Sequence, residues 1–157
     1  MITKSFKEGV TVKGELIATI RDAKTGKIKR TYQYKNLNPT ALFTMIANNL
    51  TSPNPDNSMR VNYGAVGTGT NVPALANTTL QTELERTNIA SLSNVGPIAY
   101  ITAFFNENQG NGVLREAGLF ANGTGTANTG VLVSRVNINI TKTVTESLTL
   151  DWTITIG

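Results

Sequence analysis

The chain contains neither cysteine nor histidine. That removes disulfides, thiol nucleophiles, zinc sites of the Cys/His type and the side chain most used for proton transfer near neutral pH. Charge is sparse as well, at 15% of residues against roughly 25% in ordinary soluble chains. Aromatic residues are few, and no window is long and apolar enough for a membrane-spanning helix. The opening segment, 1–10, carries charges without an apolar run, so neither signal peptide nor anchor is expected and synthesis in a cytoplasm follows.

What replaces charge is Asn, Thr and Gly. A neutral polar surface repels weakly and is cheap to desolvate, which suits a subunit packed against others. The net charge of +4 comes from 14 basic and 10 acidic residues. Its surplus concentrates in the first 35 residues, where Lys24, Lys27, Lys29 and Arg30 run beside Tyr32 and Tyr34. Clustered cations with aromatics can bind nucleic acid, but a solvated hairpin explains them more simply, and no nucleic-acid partner is expected.

The 157 residues correspond to a single domain spanning 1–157. In segment 10–20, Val10, Val12, Leu16, Ala18 and Ile20 share one parity and polar residues the other, the mark of a half-buried strand. A turn at 22–26 leads to renewed alternation through Ile28, Arg30, Tyr32 and Tyr34, so an N-terminal β-hairpin is assigned to 1–37. Asn38 as N-cap and Pro39 at the first helical position open a helix over 38–50. Its stripe of Ala41, Leu42, Met45, Ile46 and Leu50 is expected to cover an open sheet face. Segment 51–58, with Pro53 and Pro55, reads as loop.

A β-sandwich core is assigned to 61–157. It includes strands near 61–66, 87–92 and 98–105, a short capped turn from Thr79 to Glu83, and two long strands at the C-terminus. Segment 98–105 is apolar on both parities, which predicts a central strand covered on both faces. Trp152 shares the parity of Leu150 and Ile154 and is expected in the core. The fold class is therefore mainly β, an antiparallel sandwich or barrel of about seven to nine strands with one short amphipathic helix. Loops 71–79 and 122–130, polar and rich in Asn and Thr with glycines in the second, are the candidates for contacts between subunits, and the second is expected to be a mobile tip.

Few residues invite chemistry. The loop Gly67-Thr68-Gly69-Thr70 lacks the Gly-Lys-Ser/Thr ending of a P-loop and the spacing of a dinucleotide fold. Asp56 among Asn54, Asn57 and Ser58 has no EF-hand pattern. Glu107, Glu116, Glu146 and Asp151 show no spacing that implies a shared acid/base site. A glycan site would need aromatic platforms beside carboxylates, and the aromatics lie mostly at core parity. No catalytic residue, cofactor or metal is assigned, and the chain reads as a non-enzyme.

Four segments occur in an order that carries a resemblance: residues 63–70 around Gly67-Thr68-Gly69; residues 80–86, ending at Arg86; Arg115-Glu116-Ala117-Gly118-Leu119-Phe120; and the last strand through Trp152. From Tyr63 onward the chain resembles small virion proteins of tailed bacteriophages, a group similar to tail-fibre attachment domains, baseplate components and head decoration proteins. The resemblance implies a virion structural protein at tail, baseplate or connector, made in a bacterial host. It would act as a homo-oligomer, a trimer or higher ring, with other virion proteins as partners and with neither membrane nor glycan. Capsid decoration or a head fibre is the alternative, and a carbohydrate-binding β-sandwich the alternative of another class. The end at Gly157, directly after the terminal strand, favours a short adaptor or decoration protein over a fibre. Within the motif, Gly118 is expected to allow a close backbone approach and Leu119 and Phe120 to supply core. Arg115 with Glu116 is expected to tie the segment to Glu83, Glu85 or Arg86.

Overall fold

The protein is described by a computed structural model covering residues 9, 11–51 and 60–157. Most of the expected 51–58 loop, the Asp56 cluster, residues 1–8 and Val10 of the expected first strand lie outside the described residues. In chain order the elements are β1 (Val12–Asp22), β2 (Ile28–Asn36), α1 (Thr40–Thr51), β3 (Val61–Gly67), β4 (Glu83–Val95), β5 (Ile98–Phe105), β6 (Gly112–Ala121), β7 (Val131–Lys142) and β8 (Glu146–Ile156).

The eight strands form one antiparallel sheet in the order β2-β1-β8-β5-β4-β3-β6-β7, curled into a nearly closed barrel. Mainly β with one short helix is the fold class the alternation implied. The hairpin is not an appendage, because β1 pairs with β8 from Val12 opposite Ile156 to Asp22 opposite Glu146. β4 makes the corner: its first half pairs with β3 and its second half with β5.

The barrel is left unclosed between β2 and β7, and side chains lace that seam. One backbone bridge joins Leu37 and Arg135, with N–H···O distances of 2.8 and 2.9 Å. Further along, the Tyr34 hydroxyl accepts from the Asn139 amide at 3.2 Å, and Arg30 donates to the Thr141 carbonyl at 3.1 Å. Inward-facing residues of β2 thus satisfy backbone groups of β7 that a ladder would otherwise satisfy.

Inside lies one core cluster that includes Leu16, Ile20, Phe105, Leu119, Ile140, Leu150 and Trp152. Burying each large apolar side chain contributes about 1.5–3 kcal/mol, which offsets the entropy of ordering long strands. Trp152 is core, 1% exposed.

Three expectations change. β5 lies inside the sheet, between β8 and β4, but only one of its faces is covered: Ile101, Ala103 and Phe105 point inward, while Tyr100 and Phe104 remain 41% and 43% exposed. An apolar residue on each parity reflects aromatics packing over cross-strand threonines here, Tyr100 opposite Thr153 and Phe104 opposite Thr149, rather than a second layer. Helix α1 packs against β7 with Leu42 and Met45 buried, Ile46 half-buried against the barrel core and Ala41 half-buried, so the expected stripe holds except at its end, where Leu50 is 83% exposed. Asn38 is not an N-cap: its side-chain amide donates to the Val133 carbonyl at 3.1 Å, which fastens the chain to β7 just before the helix starts.

Candidate functional site

The outer face of β3, β6 and β7 is covered by the chain between β3 and β4, and two buried ion pairs hold the covering loops. β6 explains why. Along it, Ala117, Leu119 and Ala121 join the barrel core, and Phe120 joins a second small cluster with Ala65, Leu80 and Leu132 on the outside of the sheet. A strand buried on both faces must be apolar or internally paired at every position, and residues 116–121 are all buried.

Glu116 is the polar member of that outer face. Its side chain is fully buried, and Oε2 accepts from Arg135 Nη2 at 2.9 Å and Nε at 3.2 Å. The remaining lone pairs are filled by backbone amides: Gly69 at 3.1 Å and Thr82 at 2.7 Å on Oε1, Gln81 at 2.9 Å on Oε2. In the glycine loop the Gly69 amide is therefore taken by the protein's own carboxylate and the Thr68 amide by the Thr82 carbonyl at 2.9 Å. Gly67 and Gly69 are required by contact: a Cβ on Gly67 would stand 2.3 Å from the Thr82 carbonyl, and one on Gly69 would stand 2.4 Å from Glu116 Oε1.

Arg135 completes the clamp. Its guanidinium also donates to Asn77 Oδ1 at 2.6 Å and to the Asn71 carbonyl at 3.3 Å. Loop 71–79, expected as a contact loop, is anchored on its own sheet.

The second clamp is Glu83 with Arg86. Glu83 opens β4, where a capped turn was expected, and its buried carboxylate takes both Nε and Nη2 of Arg86. The Arg86 guanidinium lies over the neighbouring rings of Tyr63 and Phe120, 5.2 and 4.8 Å from their centroids. Its free edge donates to the Thr124 carbonyl at 2.8 Å and to Thr129, while Glu83 accepts from the Asn128 amide at 2.8 Å. Segment 122–130 thus has polar anchors in place of the apolar one it lacks, which corrects the expectation of a mobile tip. Asn122 and Asn128 adopt positive φ within it, a conformation Asn tolerates better than most residues.

No family of known proteins, no curated protein and no solved structure matches the chain.

The motif residues are thus partly brought together. Glu116 pairs with Arg135, and Arg86 with Glu83; Arg115 reaches neither. It occupies a register shift between Leu114 and Glu116, and its guanidinium donates to Asn139 on β7. The extra residue of this bulge is on β7, where Ile138 and Asn139 stand opposite Arg115 alone, and the bond to Asn139 overturns the tie from Arg115 and Glu116 to Glu83, Glu85 or Arg86. Gly118 makes the close approach expected of it, for a Cβ there would sit 3.0 Å from both Leu80 and the Ser134 carbonyl.

Sequence reasoning missed Arg135, which stood on the polar parity of β7, and Glu146. The Glu146 carboxylate, 4% exposed, binds Arg30 at 2.9 Å and Lys29 at 3.0 Å and accepts from the Thr143 amide at 3.0 Å. Burial pushes its pKa up, but the Lys29 and Thr143 hydrogen bonds and the Arg30 charge outweigh it and hold the carboxyl below the usual range. Nearby Lys142, buried and donating to Asn111 at 2.8 Å, is pushed down by desolvation against the pull of Glu146 and Glu107.

Chemically the two clamps are spent. Glu116 has five donors for about four lone-pair sites, which leaves nothing to receive a substrate proton. Among the described residues no group of three or more carboxylates gathers to hold a metal, and no helix is long and apolar enough to cross a membrane.

Proposed function

We propose that the protein is a non-enzymatic structural component of a tailed-bacteriophage virion, a tail, baseplate or connector adaptor that works by assembling with copies of itself and with other virion proteins. One observation carries this reading: of the residues that resemble the virion group, Glu116, Gly118, Phe120 and Arg86 are consumed in fastening loops to the sheet and Leu119 in filling the barrel core. A motif spent on rigidity suits a part whose task is to hold shape between neighbours.

The sparse charge of the surface supports the same reading, since neutral polar groups are cheap to desolvate at an interface. Placement in the particle is tested by quantitative mass spectrometry of purified virions. On the order of ten copies per particle fits a tail or connector part, and hundreds fit capsid decoration, in line with closed symmetric assembly. Absence from virions overturns the reading.

A further inference from the structure

Lys142, the last residue of β7, is the one buried charged group among the described residues that has no ion pair. It is 1% exposed, and among the described residues its ammonium finds a single hydrogen-bond partner, Asn111 Oδ1 at 2.8 Å. Glu146, at the start of β8, is already taken by Lys29, Arg30 and the Thr143 amide. An ammonium that has lost its water and rests on a neutral amide is unfavourably placed. Burial favours the neutral amine, which is the nucleophilic form.

Asn111 is fixed to receive it. Its Nδ2 donates to the Glu107 carbonyl at 2.8 Å, which turns Oδ1 toward Lys142 and sets Nζ against the oxygen bonded to Cγ. The backbones that carry the two side chains are held in register, because Gly112, the next residue after Asn111, pairs with Lys142 at the end of the β6–β7 ladder. Two groups held this way react as parts of one molecule, without the entropy cost of meeting.

We propose that Lys142 and Asn111 join spontaneously through an isopeptide bond between Nζ and Cγ, with release of ammonia. The neutral amine attacks Cγ, the Nζ–Cγ bond forms, and the carbonyl electron pair moves onto Oδ1. The intermediate collapses as the Cγ–Nδ2 bond breaks, and Nδ2 departs as ammonia with the proton that Nζ gives up. The further proton shed by the Lys142 ammonium before the attack ends on that ammonia, so atoms and charge balance with no oxidant or co-reactant. Glu107, exposed and acting on the Lys142 charge, is placed to take this proton, directly or through water.

The product is a neutral secondary amide where a charge was buried. It ties the loop between β5 and β6 covalently to the end of β7, and a cross-link of this kind restricts the unfolded chain as a disulfide does. The bond is a property of the chain itself and does not rest on the virion reading.

The test is the mass of the intact purified chain. The wild type is expected to weigh one ammonia less than its sequence requires. Trypsin cannot cut at a modified Lys142, so fragment 87–115 should be recovered joined to fragment 136–157. Lys142→Arg keeps the charge without the primary amine, and Asn111→Ala removes the group attacked; both are expected at full sequence mass with the fragments separate. Glu107→Gln is expected to leave part of the chain unjoined, and complete joining overturns the role given to Glu107. A wild-type chain at full sequence mass after prolonged incubation overturns the bond. So does a loss of ammonia that survives in Lys142→Arg, which marks cyclisation of Asn111 onto the Gly112 nitrogen instead.

Discussion

Glu116 on β6 and Arg135 on β7 meet at 2.9 Å with side chains 0% and 2% exposed, and between them they bind the backbone or side chains of Gly69, Asn71, Asn77, Gln81 and Thr82. The pair fastens the crossing between β3 and β4 onto the outside of the barrel. Arg135 is also the residue whose backbone bridges the seam to Leu37, so loop cover and barrel closure share one position.

Removing one partner strands the other charge in a site that water does not reach. Glu116→Ala is expected to destabilise by about 3–5 kcal/mol in urea denaturation. Replacing both residues, Glu116→Leu with Arg135→Met, should recover only part of that. The charge problem disappears, but the amides of Gly69, Gln81 and Thr82 still lack an acceptor, at about 1–3 kcal/mol for an unsatisfied group. Full recovery would show that the amides are satisfied in some other way.

Gly67→Ala forces a methyl against the Thr82 carbonyl and the Glu116 carboxylate at once. The backbone cannot yield as a flexible side chain would, so a loss of about 1–3 kcal/mol is expected. Gly125→Ala is the control: a Cβ there meets nothing within 4 Å, and stability should stay within about 0.5 kcal/mol of wild type. Equal effects of the two substitutions would contradict the contact argument.

Arg86→Lys keeps the charge but loses the planar fork that serves Glu83, Thr124 and Thr129 together from over two rings. Segment 122–130 should then exchange its amide hydrogens faster and become cleavable by protease, whereas the core strands β1, β8 and β5 keep their protection. Uniform loss of protection across the sheet would mean that Arg86 serves the whole fold and not this loop.

Acid should weaken the region around Glu146. Its carboxyl is held below the ordinary value in the folded protein, chiefly by Lys29, Thr143 and Arg30 against the opposing effect of burial. A depressed folded-state value contributes stability above the unfolded value of about 4.3, and that contribution is lost as pH falls through the lower folded value. The stability difference between wild type and Glu146→Gln, measured by urea denaturation, should therefore shrink as pH drops from about 5 to about 3. A difference that grows on acidification would reverse the sign assigned to this group.

The class of fold and most of its strands follow from the local residue pattern alone. Period-2 alternation is a local property, and the burial of Leu148, Leu150, Trp152 and Ile154 along β8 follows from it with no knowledge of partners. Cysteine and histidine, being absent, closed off chemistry in the same local way. Tertiary structure decided what alternation cannot encode: which strands are neighbours, where a bulge in β7 sets Asn139 against Arg115, and which sheet face a loop covers. Arg135 and Asn137 look alike in the pattern of β7. Only the crossing loop above them makes one a buried clamp, because burial of a strand's second face depends on a segment more than fifty residues away in the chain.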